Sequence, residues 1–196
     1  MKRFNFIAAA VLAAALASCA KEQKMPLVSG TAGAGDPGYT YKITVEKIEF
    51  NWRLEGNDLR IKLKAPVNGW LSAGFDPTKG MQDARMVIGY MENGKPVVVE
   101  NHGIDPKHHK PDTELGGENN VKDPAGAQAD GATVISYTIP LNSADKLDKP
   151  INPDGTLLML AYGESTELAQ QHVLWAEAKL NLKTGVYAET LLKRGK

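Results

Sequence analysis

Residues 59–65 read Leu-Arg-Ile-Lys-Leu-Lys-Ala, apolar at every odd position and basic at every even one. In an extended strand successive side chains point to opposite faces, so Leu59, Ile61, Leu63 and Ala65 share one face and Arg60, Lys62 and Lys64 the other. A helix would scatter both sets around its circumference; the run specifies a strand with one side on a core and the other in water. Comparable runs lie at 41–50, 70–75, 86–91, 96–100, 133–139, 156–162 and 173–182. Between them stand turn-forming clusters such as Glu55-Gly56-Asn57-Asp58, Asn68-Gly69, Glu92-Asn93-Gly94-Lys95 and Asn152-Pro153-Asp154-Gly155. The expectation is an all-β chain, an immunoglobulin-like sandwich of about 8–11 antiparallel strands.

Three irregular stretches interrupt this rhythm. The longest, around 101–132, is dense in Gly, Asp, Asn and Pro and carries three of the four histidines; connections of this length inside a domain are usually functional or disordered. The others are 76–84 and 163–171, within which 164–171 reads as a short helix.

The first residues have a different character. Lys2 and Arg3 precede an apolar run of 12 residues, 6–17, and Leu16-Ala17-Ser18-Cys19 closes it. A helix needs roughly 20 residues to span a bilayer, so the run reads as a secretory signal. Its ending resembles the lipobox of bacterial lipoproteins, which implies cleavage before Cys19 and acylation of that residue, with a membrane as partner. Each buried acyl methylene would contribute roughly 0.8 kcal/mol. The expected organisation is a signal peptide over 1–18, lipidated Cys19 and a Gly-rich tether to 38, a sandwich over 39–183, and a C-terminal tail over 184–196. The location that follows is extracytoplasmic, on the bacterial cell envelope.

Composition excludes several functions. The full chain balances 23 Lys and Arg against 23 Asp and Glu, and losing Lys2 and Arg3 tips it slightly acidic, so nucleic acid is not an expected partner. A single cysteine rules out an intrachain disulfide, a multi-cysteine zinc site and covalent c-type haem attachment. No Gly-x-Ser-x-Gly, His-Glu-x-x-His or Walker motif occurs, which points away from an enzyme.

Trp52, the run 58–65, Gly69-Trp70-Leu71-Ser72-Ala73-Gly74-Phe75, and Met81 followed by the apolar run 86–90 together resemble successive strands of a DOMON domain. Pro140-Leu141-Asn142, the Ala161-Tyr162-Gly163 ending and a histidine before the last strand continue the likeness, which covers roughly 41–182. The sequence departs from that pattern at Ile139, where Arg often precedes Pro-Leu, and over 173–177, where a Gly-Pro-Arg-Gly-like stretch is usual. The family contains β-sandwiches that bind haem b or sugars. In haem-binding members, such as the cytochrome domain of cellobiose dehydrogenase, a Met after the Gly-Trp strand and a His near the last strand ligate the iron. Met81 and His172 stand at those positions, so the resemblance implies a non-covalent haem b held by this pair, and electron transfer with a redox partner. Thioether plus imidazole fills both axial positions and raises the potential.

Phe75, Met86 and Ile88 are the first expected pocket residues, followed by Trp70, Tyr162 and Trp175; Lys79, Arg85 and Lys107 are candidate propionate partners. Gly80 would allow a close backbone approach to the macrocycle. His102 is the alternative axial ligand. His102, His108 and His109 with Asp105 and Asp112 also form a candidate Zn²⁺ or Cu²⁺ set, whereas the Glu118, Asp123 and Asp130 stretch lacks the order of a calcium loop. The competing function is a binding module for a carbohydrate or other small ligand, with Trp70, Trp175 and Tyr90 as stacking faces.

Overall fold

The computed structural model describes residues 28–168 and 170–194, with the side chains of 191–194 left aside. The expected signal peptide, Cys19 and the first part of the tether lie outside the described residues.

Turn chemistry sets the strand boundaries. The run at 41–50 is not one strand: Glu46, at φ 53°, turns the chain between β3 (Tyr41–Val45) and β4 (Ile48–Glu55). Gly56, at φ 62°, opens the next turn into β5 (Asp58–Ala65). The alternating run behaves as its pattern dictates, with Leu59, Ile61, Leu63 and Ala65 at most 1% exposed. The chain continues through β6 (Leu71–Phe75), β7 (Arg85–Glu92), β8 (Lys95–Gly103), β9 (His109–Pro111), a 3-10 turn (Asp112–Leu115), β10 (Lys122–Ala129), β11 (Ala132–Pro140), β12 (Thr156–Tyr162), β13 (Leu174–Leu180) and β14 (Val186–Arg194). Two short pieces, β1 (Ser29–Thr31) and β2 (Gly33–Ala34), precede them.

These strands form two antiparallel sheets, one of eight in the order β1-β14-β13-β12-β6-β7-β8-β9 and one of six in the order β10-β11-β5-β4-β3-β2. The core between them joins Phe50, Trp52, Ile61 and Tyr137 from the smaller sheet to Leu71, Phe75, Val87 and Leu160 from the larger. Trp52 closes one flank by donating its indole N–H to the Leu182 carbonyl at 2.9 Å.

Three expectations change. Within the expected tail, 186–194 form β14, which pairs along β13 and receives β1 on its other edge, so residues from the expected tether become sheet. The long connection after β8 holds β9, the 3-10 turn and β10, the last pairing with β11. The described residues of 164–171 are bends and turns rather than a helix.

Candidate functional site

Across the larger sheet, register places Met159 on β12 opposite Gly74 on β6, and Gly74 opposite Met86 on β7. Gly74 has no side chain, and its neighbours lean into the gap: a Cβ there would sit 2.7 Å from Met86 Cγ and 3.0 Å from Met159 Cε. Met86 and Met159 form a small apolar cluster with Ala84, separate from the main core, and Met81 and Trp175 pack onto it. The cluster lies on the face of the larger sheet turned away from the smaller one, because strand alternation sends Phe75, Val87 and Leu160 into the main core instead.

The two residues expected to ligate iron reach this patch from different loops. Met81 sits in the β6–β7 connection, where its N–H donates to the Pro106 carbonyl at 3.1 Å and its carbonyl accepts from Ala84 N–H at 3.0 Å. Gly103 packs against that carbonyl so closely that a Cβ there would lie 1.6 Å from it. His172, in the β12–β13 connection, sets its ring 5.9 Å from the Trp175 ring at an interplanar angle of 47°. Burial pushes the His172 pKa below its ordinary value, which favours the neutral imidazole. Its Nδ1 is buried and has no hydrogen-bond partner among the described residues. Trp175 thus belongs to the Met81 cluster and also stacks beside His172, which ties the two loops to one patch.

The other expected site residues divide. Met86 lines the patch, and Ile88, two residues along β7 and 3% exposed, shares its face. Phe75 does not line it: it is fully buried in the main core, opposite Arg85 in register. Tyr162 likewise faces the core. Trp70 packs behind the His172 loop, where Gly163 passes so near that a Cβ would lie 2.4 Å from its indole nitrogen. With 7% exposure Trp70 offers no free stacking face. Tyr90 is partly buried; desolvation raises its pKa, with smaller contributions from Glu92 and Glu167.

Arg85 cannot meet a propionate on the surface. It is 1% exposed between the sheets, donating from Nε to Glu100 at 2.7 Å and from Nη1 to the Pro140 carbonyl at 2.9 Å. Lys79 and Lys107 are exposed. Gly80, at φ 59°, makes its close approach to the Pro106 carbonyl rather than to open space. The three loop histidines diverge: His108 binds Asp105 at 2.7 Å, His109 binds Asn101 at 3.0 Å, and His102 is part of β8 beside Arg85. They do not form a shared metal set. Among the described residues Glu100, Asp112 and Asp148 do converge; Asp112 was expected beside the histidines, whereas Glu100 and Asp148 escaped the reading of the sequence.

The donor chemistry at the patch suits haem iron: one thioether, one neutral imidazole with an orphan nitrogen, a side-chain-free floor at Gly74, and apolar flanks. Met86 and Met159 now cover that floor, and both are unbranched, flexible side chains that can rearrange. A separate cavity of about 480 Å³ opens at one end of the sandwich, bordered by Lys47, Asn68, Gly131, Glu164 and Val173, on polar surface away from the methionines. Among the described residues no helix is long and apolar enough to cross a membrane.

Comparison with solved structures finds the same fold in two cytochrome domains. The cytochrome b domain of pyranose dehydrogenase from Coprinopsis cinerea superimposes with a TM-score of 0.51 at 10% identity, covering 87% of this chain and 86% of that one. The cytochrome domain of Myriococcum thermophilum cellobiose dehydrogenase gives 0.50 at 8% identity, with coverages of 84% and 88%. In sequence the chain is 25% identical over 141 residues to mouse DBH-like monooxygenase protein 1 and 25% identical over 146 residues to the human protein. It spans only 22% of the length of each of those relatives, although 69% of this chain is aligned. The family model for the DOMON domain matches residues 44–163. With that match covering most of the folded chain, and two antiparallel sheets packed as a sandwich, the protein belongs to the DOMON domain family.

Proposed function

We propose that this domain is a b-type cytochrome module that carries single electrons outside the cytoplasmic membrane, with Met81 and His172 as the axial ligands of a non-covalently held haem b. The observation that supports it most is the meeting of two loops at one patch: Met81 and Trp175 pack on the Met86–Met159 cluster, and His172 stacks beside Trp175 with a buried, unpartnered Nδ1. The likeness to two cytochrome domains supports the fold that such a site needs.

When bound, haem would supply a one-electron couple, and Met81 and His172 are the residues that would hold its iron. The protein's part is to present a neutral imidazole, a thioether and a dry face. Burial keeps the His172 imidazole neutral. Met86, Ile88 and Met159 keep water from the patch. Lipidation at Cys19 would hold the module at a membrane surface, where it would meet a partner protein.

The experiment is a visible spectrum of the purified protein after haemin addition and dithionite reduction. A Soret band with sharp α and β bands is expected, together with their loss in Met81→Ala and His172→Ala. A colourless protein that takes up no haemin overturns the assignment. The carbohydrate reading has less support, because Trp70 is buried against Gly163.

A further inference from the structure

Behind β7, on the core side of the sheet, three carboxylates from distant parts of the chain converge. Glu100 comes from β8, Asp112 from the start of the 3-10 turn and Asp148 from the β11–β12 connection; one ligating oxygen of each lies within 4.8 Å of the others, and all three residues are buried. One cation faces them. Arg85 Nε donates to Glu100 Oε1 at 2.7 Å and stands 3.2 Å from Asp148 Oδ1, and its Nη2 lies 2.7 Å from the same Glu100 oxygen. With all three ionised, three carboxylates against one guanidinium leave two negative charges in a dry space, which is costly unless something balances them.

The hydrogen bonds around the cluster satisfy its rim and leave its centre open. Glu100 Oε2 accepts from Asn120 N–H at 2.8 Å, and Asp148 Oδ2 accepts from Ser143 at 2.5 Å and Asn120 Nδ2 at 3.3 Å. Asp145, whose charge also reaches the cluster, is engaged with the N–H groups of Glu118 and Leu147. By contrast both oxygens of Asp112, which is 1% exposed, have no hydrogen-bond partner among the described residues, and Asp148 Oδ1 has only its ion pair with Arg85. Independently, the hydroxyl of Tyr137 on β11, also 1% exposed, is without a partner, and it sits close enough to feel the charges of Glu100 and Arg85. His102, in register with Arg85 and sensed by Asp148, has a buried Nδ1 in the same condition. A buried polar atom without a partner is rare enough to need a cause.

We infer that Glu100, Asp112 and Asp148 form a binding site for one divalent, oxygen-seeking cation, with calcium the ion that fits, which fastens the long β8–β10 connection and the β11–β12 connection to the sandwich. Two positive charges match the two uncompensated negative ones. Carboxylate oxygens are the ligands of hard cations, and calcium tolerates an irregular cage at 2.3–2.6 Å per bond. The site is distinct from the methionine patch, which lies on the opposite face of β7, and does not depend on haem.

The test uses the full mature protein, stripped with chelator and then given calcium, magnesium or no metal, both after folding and during refolding. Metal content per chain is measured by elemental mass spectrometry after dialysis, in haem-free protein and after haemin addition. About one calcium per chain is expected in both, with a melting temperature raised by roughly 5–10 °C at a hundredfold excess over Kd. Asp112→Asn should lose both responses. Dialysed wild-type protein without bound metal, or an Asp112→Asn variant as stable as wild type in calcium, overturns the site and assigns the missing charge to a proton on Asp112. Metal content of the wild type decides the matter even if the variant does not fold.

Discussion

The imidazole of His172 and the indole of Trp175 lie 5.9 Å apart, centroid to centroid, and at 47° to each other. Trp175 is fixed at the start of β13 and packs on the methionine cluster, so it holds the ring of a residue that belongs to a loop. Trp175→Ala should release His172 while keeping the fold, at a stability cost of about 1–2 kcal/mol for a half-buried ring. Trp175→Phe should restore most of the lost order. Haem retention and the low-spin spectrum of the reduced protein are the readouts; unchanged retention in the alanine variant would remove Trp175 from the site.

Gly74→Val places branched carbon where Met86 and Met159 already meet. The neighbours that must shift are mainly flexible thioether side chains, so the fold should survive with a loss of about 1–3 kcal/mol. Haemin uptake should fall at least tenfold, read as Soret absorbance per chain. Uptake equal to wild type would show that the floor of the site lies elsewhere.

Gly103→Ala tests how the Met81 loop is held. The added carbon would lie 1.6 Å from the backbone carbonyl of Met81, an atom that cannot swing aside as a side chain does. The β6–β7 connection must move, and loss of Met ligation is expected even though residue 103 touches no cofactor. Absorbance of the oxidised protein near the weak sulfur-to-iron band is the measurement.

Two opposing pH dependences should be separable. His172 has a folded pKa below its ordinary 6.5, so its contribution is fully present above that value and lost as pH falls through the folded value. Asp112 runs the other way. Its pKa rises from 3.8 to about 7 on folding, so without bound cation stability declines as pH rises across that interval. In metal-free protein, Asp112→Asn should reduce this decline, the raised pKa values of Glu100 and Asp148 sustaining the remainder, and His172→Ala should leave it in place, as seen in denaturant midpoints between pH 4 and 8.

Arg85→Met should cost about 3–5 kcal/mol, because it strands Glu100 and Asp148 without their buried partner. The loss should be greater at pH 8 than at pH 5, where protonation relieves the carboxylates. Equal losses at both pH values would mean that Arg85 contributes packing alone.

Much of the sandwich was legible because its strands carry their own markers. The alternation at 59–65 assigns β5 and its buried face, and Asn93-Gly94 assigns the β7–β8 hairpin. Met81 and His172 were singled out through a family pattern, and the structure brings both to the neighbourhood of Trp175. Phe75 was misassigned because Leu71-Ser72-Ala73-Gly74-Phe75 is buried along both faces, so no polar residue reports which way each side chain points. Only the pairing of Gly74 with Met86 and Met159 reveals the floor of the site. Arg85 resembled a surface charge at the head of an apolar strand; its parity with Val87, a core residue, was the available clue. The carboxylates it meets come from three separated segments, a juxtaposition that local pattern does not encode.

Arg85 and Met86 are neighbours on one strand, and β7 sends the first toward the carboxylates and the second toward the thioethers. A shift of one residue would exchange them, setting a guanidinium among methionines and a thioether among anions. β7 is therefore where the reading frame of the fold is kept. A single-residue insertion between Arg85 and Tyr90 should abolish folding, whereas the same insertion at the exposed Asn93-Gly94 turn should be accommodated.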